Sequence, residues 1–168
     1  LAARGGRLAV LESRAGLPFP LPPEVERLPS AVPPRPAWAR AAAEGHALRA
    51  RLRGAALRGA PFDLVHTAHS PAPRNLGVPF TLTLHDLKSL GAPGQPLARR
   101  LLGPRVLADA VRRAALVIAV SEALKRELVE RFALDPARVR VVPNAGNHLE
   151  LLPRVGGGGL LYVGHVEP

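Results

Sequence analysis

The chain contains no cysteine. A disulfide framework and a thiolate metal site are therefore excluded, and nothing in the sequence calls for an oxidising compartment. Methionine is absent too, and aromatic residues make up only 4%. A binder of single-stranded nucleic acid stacks bases on aromatic rings, so that scarcity weighs against one. No apolar run approaches the roughly 18 residues of a membrane-spanning helix, and the N-terminus lacks the layout of a signal peptide. A cytoplasmic location is the resulting expectation. Lysine is nearly missing as well: of 23 basic residues only Lys88 and Lys125 are lysines. The remainder are arginines in a chain rich in Ala, Gly and Pro, the pattern of GC-rich coding.

What is present is aliphatic. With 168 residues, 47% of them hydrophobic, the chain has room for one domain with a sizeable core built of Ala, Leu and Val. Such layers suit strands packed between helices. The formal net charge of +10 invites a reading as a binder of anions. An anionic membrane surface or an anionic substrate fits this composition better than nucleic acid does.

Short apolar runs alternate with helical patterns, the signature of successive βαβ units. The fold class expected is α/β, Rossmann-like, with a mostly parallel sheet and helices on both faces. Strands are predicted at Arg7 to Leu11, Phe62 to His66, Pro79 to Leu84, Leu116 to Val120, Val139 to Val142 and Leu160 to Val163. The proline-dense stretch from Leu17 to Pro36 reads as an irregular connection. Ala37 to Arg58 reads as a helix with Leu48, Leu52 and Ala55 or Ala56 on its buried side. Its arginines form either a solvated basic face or a surface for anionic lipid. Leu97 to Ala114 is also helical, with a break expected near Gly103 and Pro104. The clearest helix follows Ser121, a suitable N-cap, with Leu124, Leu128 and Phe132 every four residues. Glu122 with Arg126 and Glu127 with Arg131 have the spacing of surface ion pairs. The run Gly156 to Gly159 reads as a flexible joint between domains.

Open parallel sheets bind ligands beyond the carboxyl ends of their strands, so the residues there are the first candidates for chemistry. They are polar: His66, Thr67, His69 and Ser70 after the second strand, His85 and Asp86 after the third, Ser121 after the fourth and Asn144 after the fifth. His66 and His69 have no evident third partner for a metal. No glycine-rich dinucleotide fingerprint follows a strand, and no phosphate-loop lysine is present.

Five segments occur in order: Phe62-Asp63-Leu64-Val65-His66, Pro79-Phe80-Thr81-Leu82-Thr83-Leu84-His85-Asp86, Val117-Ile118-Ala119-Val120-Ser121-Glu122, Val139-Arg140-Val141-Val142-Pro143-Asn144 and Leu161-Tyr162-Val163-Gly164. Together they resemble glycosyltransferase family 4 of the GT-B fold. The resemblance implies two Rossmann-like domains facing across a cleft, the first holding the acceptor and the second a nucleotide-sugar donor. It implies sugar transfer with retention of configuration and without a catalytic metal or other cofactor. The acceptor would be a glycan or a lipid-linked molecule. Peripheral contact with an anionic inner membrane face, and no nucleic-acid partner, are the expectations drawn from the arginine excess and the few aromatics. His85 matches the family's histidine that reaches the transferred sugar. His66, His69, Asp86, Ser121 and Asn144 are expected to bind substrate. The chain reads Pro143-Asn144-Ala145-Gly146-Asn147 where the family has Pro-Asn-Gly, an apolar residue and Asp.

The resemblance also implies a chain truncated at both ends. Residues 1–152 would be an incomplete acceptor domain, and residues 153–168 a linker and the first strand of a donor domain. The first strand of the family's acceptor domain and the groups that hold the diphosphate would lie outside it, so this chain alone is expected to be inactive. A non-catalytic Rossmann-like binding module is the alternative reading.

Overall fold

Parallel strand pairing organises the chain. A computed structural model describes residues 5–17, 20–33, 37–68, 72–87 and 97–145. Its elements are β1 (Leu8–Leu11), β2 (Val25–Leu28), α1 (Ala37–Leu57), β3 (Val65–Thr67), β4 (Phe80–Leu84), α2 (Leu97–Arg113), β5 (Leu116–Ala119), α3 (Glu122–Phe132) and β6 (Val139–Val141). All ladders are parallel. The architecture is the expected Rossmann-like α/β type.

Strands β3, β4, β5 and β6 form a four-stranded sheet in sequence order, which makes β4 and β5 its central pair. Their register sets Leu82 beside Val117 and Leu84 beside Ala119. Side chains alternate across a strand, so Val65, Phe80, Leu82, Leu84, Val117, Ala119 and Val139 share one face, and all are buried. Leu107, Ala110 and Val111 of α2 and Leu124, Leu128 and Phe132 of α3 complete that core, and Leu48 and Leu52 of α1 pack against it. The opposite face carries His66, Thr81, Thr83, Ile118 and Arg140, which are half-buried or exposed. Among the described residues the helices therefore cover one side of this sheet and not both faces as expected, because the apolar stripes of all three pack on the single core face.

Helix α3 forms as its sequence requires. The backbone of Ser121 is extended (φ −155, ψ 159), and its hydroxyl accepts from the amide of Leu124 at 3.2 Å. Glu122 lies in the first turn, where the helix dipole favours an acid. The helix ends at Ala133, whose left-handed φ of 50° closes the last turn. Of the two expected surface pairs, Glu127 and Arg131 meet at 3.6 Å. No ion pair joins Glu122 to Arg126 among the described residues.

Three expectations are corrected. First, the proline-dense stretch contains β2, because Glu24 to Leu28 is free of proline and can supply ladder groups to β1. Second, α2 runs through Pro104 without a break. The guanidinium of Arg105 donates to the carbonyl of Leu101 at 3.0 Å, serving a group near the disrupted ladder. Buried Leu107, Ala110 and Val111 then hold the second half against the sheet. Third, β3 begins at Val65, where that amide donates to the carbonyl of Pro79 at 3.1 Å, not at Phe62.

β1 and β2 make a separate two-stranded sheet. Arg7 ties it to the approach to β3: it pairs with Glu26 at 2.7 Å, donates to the carbonyl of Ala60 at 2.8 Å and lies 4.4 Å over the ring of Phe62. The strand predicted at Leu160 to Val163 and the glycine joint fall outside the described residues.

Candidate functional site

Because β3, β4, β5 and β6 run parallel, their carboxyl ends share one edge of the sheet. At the end of β4, His85 and Asp86 are exposed, while the next residue, Leu87, is buried and anchors the segment to the core. His85, Asp86 and Leu87 meet Ala123, Leu124 and Glu127 of α3 around an open hollow of ≈ 290 Å³. Core packing of Leu124 and Leu128 sets α3 beside β4, so the hollow is a product of the buried layer.

The other candidates distribute around this edge. Ser121 lies two residues beyond β5, and its hydroxyl oxygen is engaged as the cap of α3; a hydroxyl that accepts still has its own hydrogen to donate. Asn144 is exposed three residues beyond β6. His66 is different: it lies inside β3, on the face opposite the core. Its Nδ1 is 2.8 Å from the hydroxyl of Thr81, and its Nε2 is 3.3 Å from that of Thr83. Loss of water around the ring lowers its pKa below the usual histidine value. His69 lies outside the described residues.

Two groups of residues escaped sequence reasoning. Glu127 reads as the partner of Arg131, yet it also lines the hollow with His85; its place one turn after Ala123 was the available signal. The second group is a cleft of ≈ 430 Å³ between α1 and α2. Ala42 and Gly45 leave its α1 wall low, and Arg49, Arg74, Arg113 and Asp109 supply its charged lining. Asp109 pairs with Arg113 at 2.9 Å and with Arg74 at 3.0 Å. Burial pushes its pKa up, but the hydrogen bonds and charges of Arg113 and Arg74 outweigh that and hold it below the usual carboxylate value. Arg49 donates to the carbonyl of Arg74 at 3.0 Å, a contact between residues 25 apart in sequence.

A parallel sheet with exposed His, Asp, Ser and Asn side chains along its carboxyl edge defines a Rossmann-like domain, whose architecture places ligand sites, where it has them, beyond that edge. The family model described as Glycosyltransferase Family 4 matches residues 1–147, and the chain belongs to that family. The sequence matches no curated protein. Membership makes it a glycosyltransferase chain, with a sugar donor and an acceptor as its general partners.

Proposed function

We propose that the protein transfers a sugar from a nucleotide-sugar donor to a glycan or lipid-linked acceptor, retaining the anomeric configuration. Residues 1–152 are its acceptor-side domain, and residues 153–168 lead into the donor side. The carrying observation is the exposure of His85 and Asp86 at the carboxyl end of a central strand, beside a hollow closed by α3, in a chain of this family. A neutral imidazole donates one hydrogen bond and accepts another, which suits a sugar hydroxyl at the reacting centre. His85 is assigned the catalytic contact. Asp86, Ser121 and Asn144 bind substrate along the same edge, with His66 on the β3 side, and His69 is assigned to substrate binding with them.

The reading gives the enzyme no metal or other cofactor. Charge on the leaving diphosphate is met by groups of the donor side, since retaining transfer requires that charge to be stabilised. Among the described residues no helix is long and apolar enough to cross a membrane. The proposed setting is the cytoplasm, with peripheral contact to the inner membrane face.

The test is transfer by the full-length protein from uridine or guanosine diphosphate sugars, with the product's anomeric configuration read by proton NMR. A product with the donor's anomeric configuration is expected. An inverted product removes the retaining mechanism, and absence of transfer from every donor favours a binding module.

A further inference from the structure

We propose that the outward faces of α1 and α2 dock on an anionic phospholipid bilayer, with the cleft between the two helices receiving a lipid phosphate. This deepens the acceptor reading above, and rests on it only for the source of a lipid-linked acceptor.

The excess charge is localised. α1 carries four arginines against Glu44, α2 carries five against Asp109, and α3 has three bases against three acids. The first two helices thus hold seven of the ten excess positive charges. Both also pack on the same face of the sheet, through Leu48 and Leu52 on α1 and Leu107, Ala110 and Val111 on α2. Their opposite faces therefore look the same way, away from the core.

That outward surface is apolar as well as basic. On α2, Leu101, Leu102 and Val106 are 55%, 56% and 41% exposed, and Leu57 at the end of α1 is 89% exposed. The core side of α2 is already filled, so these side chains meet solvent beside the exposed Arg100 and Arg105. Leucine flanked by arginine suits a bilayer interface, where the apolar group enters the acyl boundary and the guanidinium stays at the headgroups. Exposed leucines gain nothing on a nucleic-acid backbone, which is bound through its phosphates.

The cleft continues the same surface. Leu102, Val106, Asp109 and Arg113 recur at helical spacing and form one stripe, so the exposed apolar residues run directly into the cleft. Its lining holds three guanidiniums, two of them paired with the one carboxylate, leaving two net positive charges around ≈ 430 Å³. A guanidinium has five N–H groups, so Arg49 and Arg74 keep donors beyond the contacts that fix them. α2 also begins on the carboxyl side of β4, so its leucine-bearing first half lies at the sheet edge that carries His85. Docking here brings the acceptor edge to the bilayer.

The experiment is sedimentation of the chain with vesicles of phosphatidylcholine alone and with about one third phosphatidylglycerol. Sedimentation with the anionic vesicles only, reduced by salt, is expected. The double variant Leu101→Ser/Leu102→Ser should weaken binding about tenfold or more. Arg49→Gln/Arg74→Gln should weaken it about fivefold per arginine removed. All four positions border solvent or the open cleft, and circular dichroism checks that each variant is folded. Equal binding to neutral vesicles, no binding to either, undiminished binding of the leucine variant, or displacement of vesicles by duplex DNA would each overturn the proposal. Sedimentation requires no sugar transfer, and transfer to a water-soluble acceptor without vesicles tests the enzymatic reading alone.

Discussion

Replacing His85 by Ala in the full-length enzyme separates a ligand contact from a structural one. His85 is exposed, and no hydrogen bond or ion pair engages it among the described residues. Truncation therefore removes little packing and no native polar contact, and stability should change by no more than about 0.5 kcal/mol. Loss of a positioned polar group at the reacting centre costs far more in rate. Turnover should fall about 10²-fold, equivalent to about 2.7 kcal/mol of transition-state stabilisation. Leu128→Ala is the opposite control, because Leu128 is fully buried in the core that seats α3. It should lose about 2–5 kcal/mol of stability. In a domain of this size each kcal/mol lowers Tm by about 2–4 °C. Initial rates per folded molecule and thermal melts are measured on both variants. If His85→Ala melts early and turns over normally, the residue leaves the site and the argument from strand ends fails.

Ser121→Ala removes the oxygen that accepts from Leu124 and should destabilise by about 1 kcal/mol in urea titrations, with Ser121→Asp restoring most of it. An unchanged midpoint in Ser121→Ala would show that the cap contributes nothing. His66 supplies a pH signature. Its pKa is lower in the folded state than in the unfolded chain, so the unfolded chain takes up the proton first as pH falls. The stability it contributes is complete above about pH 6.5 and declines as pH drops below that, until the folded-state value is passed. His66→Gln should flatten this part of the Tm profile between about pH 7.5 and 5. Parallel profiles would mean that the ring does not titrate in the environment set by Thr81 and Thr83.

The α/β class, the helix after Ser121 and the strand at Phe80–Leu84 were legible in the sequence because each is written in residues close together in the chain. Spacing of Leu124, Leu128 and Phe132, a capping serine and the alternation of Phe80, Leu82 and Leu84 with threonines are local quantities. The position of His85 and Asp86 followed, since a residue after a central parallel strand emerges at the ligand edge whatever the packing details. The family was legible for the same reason, as ordered strand ends with their polar neighbours.

Tertiary structure decided the rest through contacts between distant residues. Strand β2 exists because Val25 to Leu28 pairs with Leu8 to Leu11, and no periodicity within its four residues announces it. The ring of His66 lies on the sheet because Thr81 and Thr83 are presented by the neighbouring strand in register. Glu127 joins His85 only when α3 packs beside β4. Net charge was visible in composition, but its gathering on two co-facing helices, with Arg49, Arg74 and Arg113 lining one cleft, required both helices to choose the same face of the sheet. That choice is made by burial of their apolar stripes against a shared core, an energy that no single segment of the sequence contains.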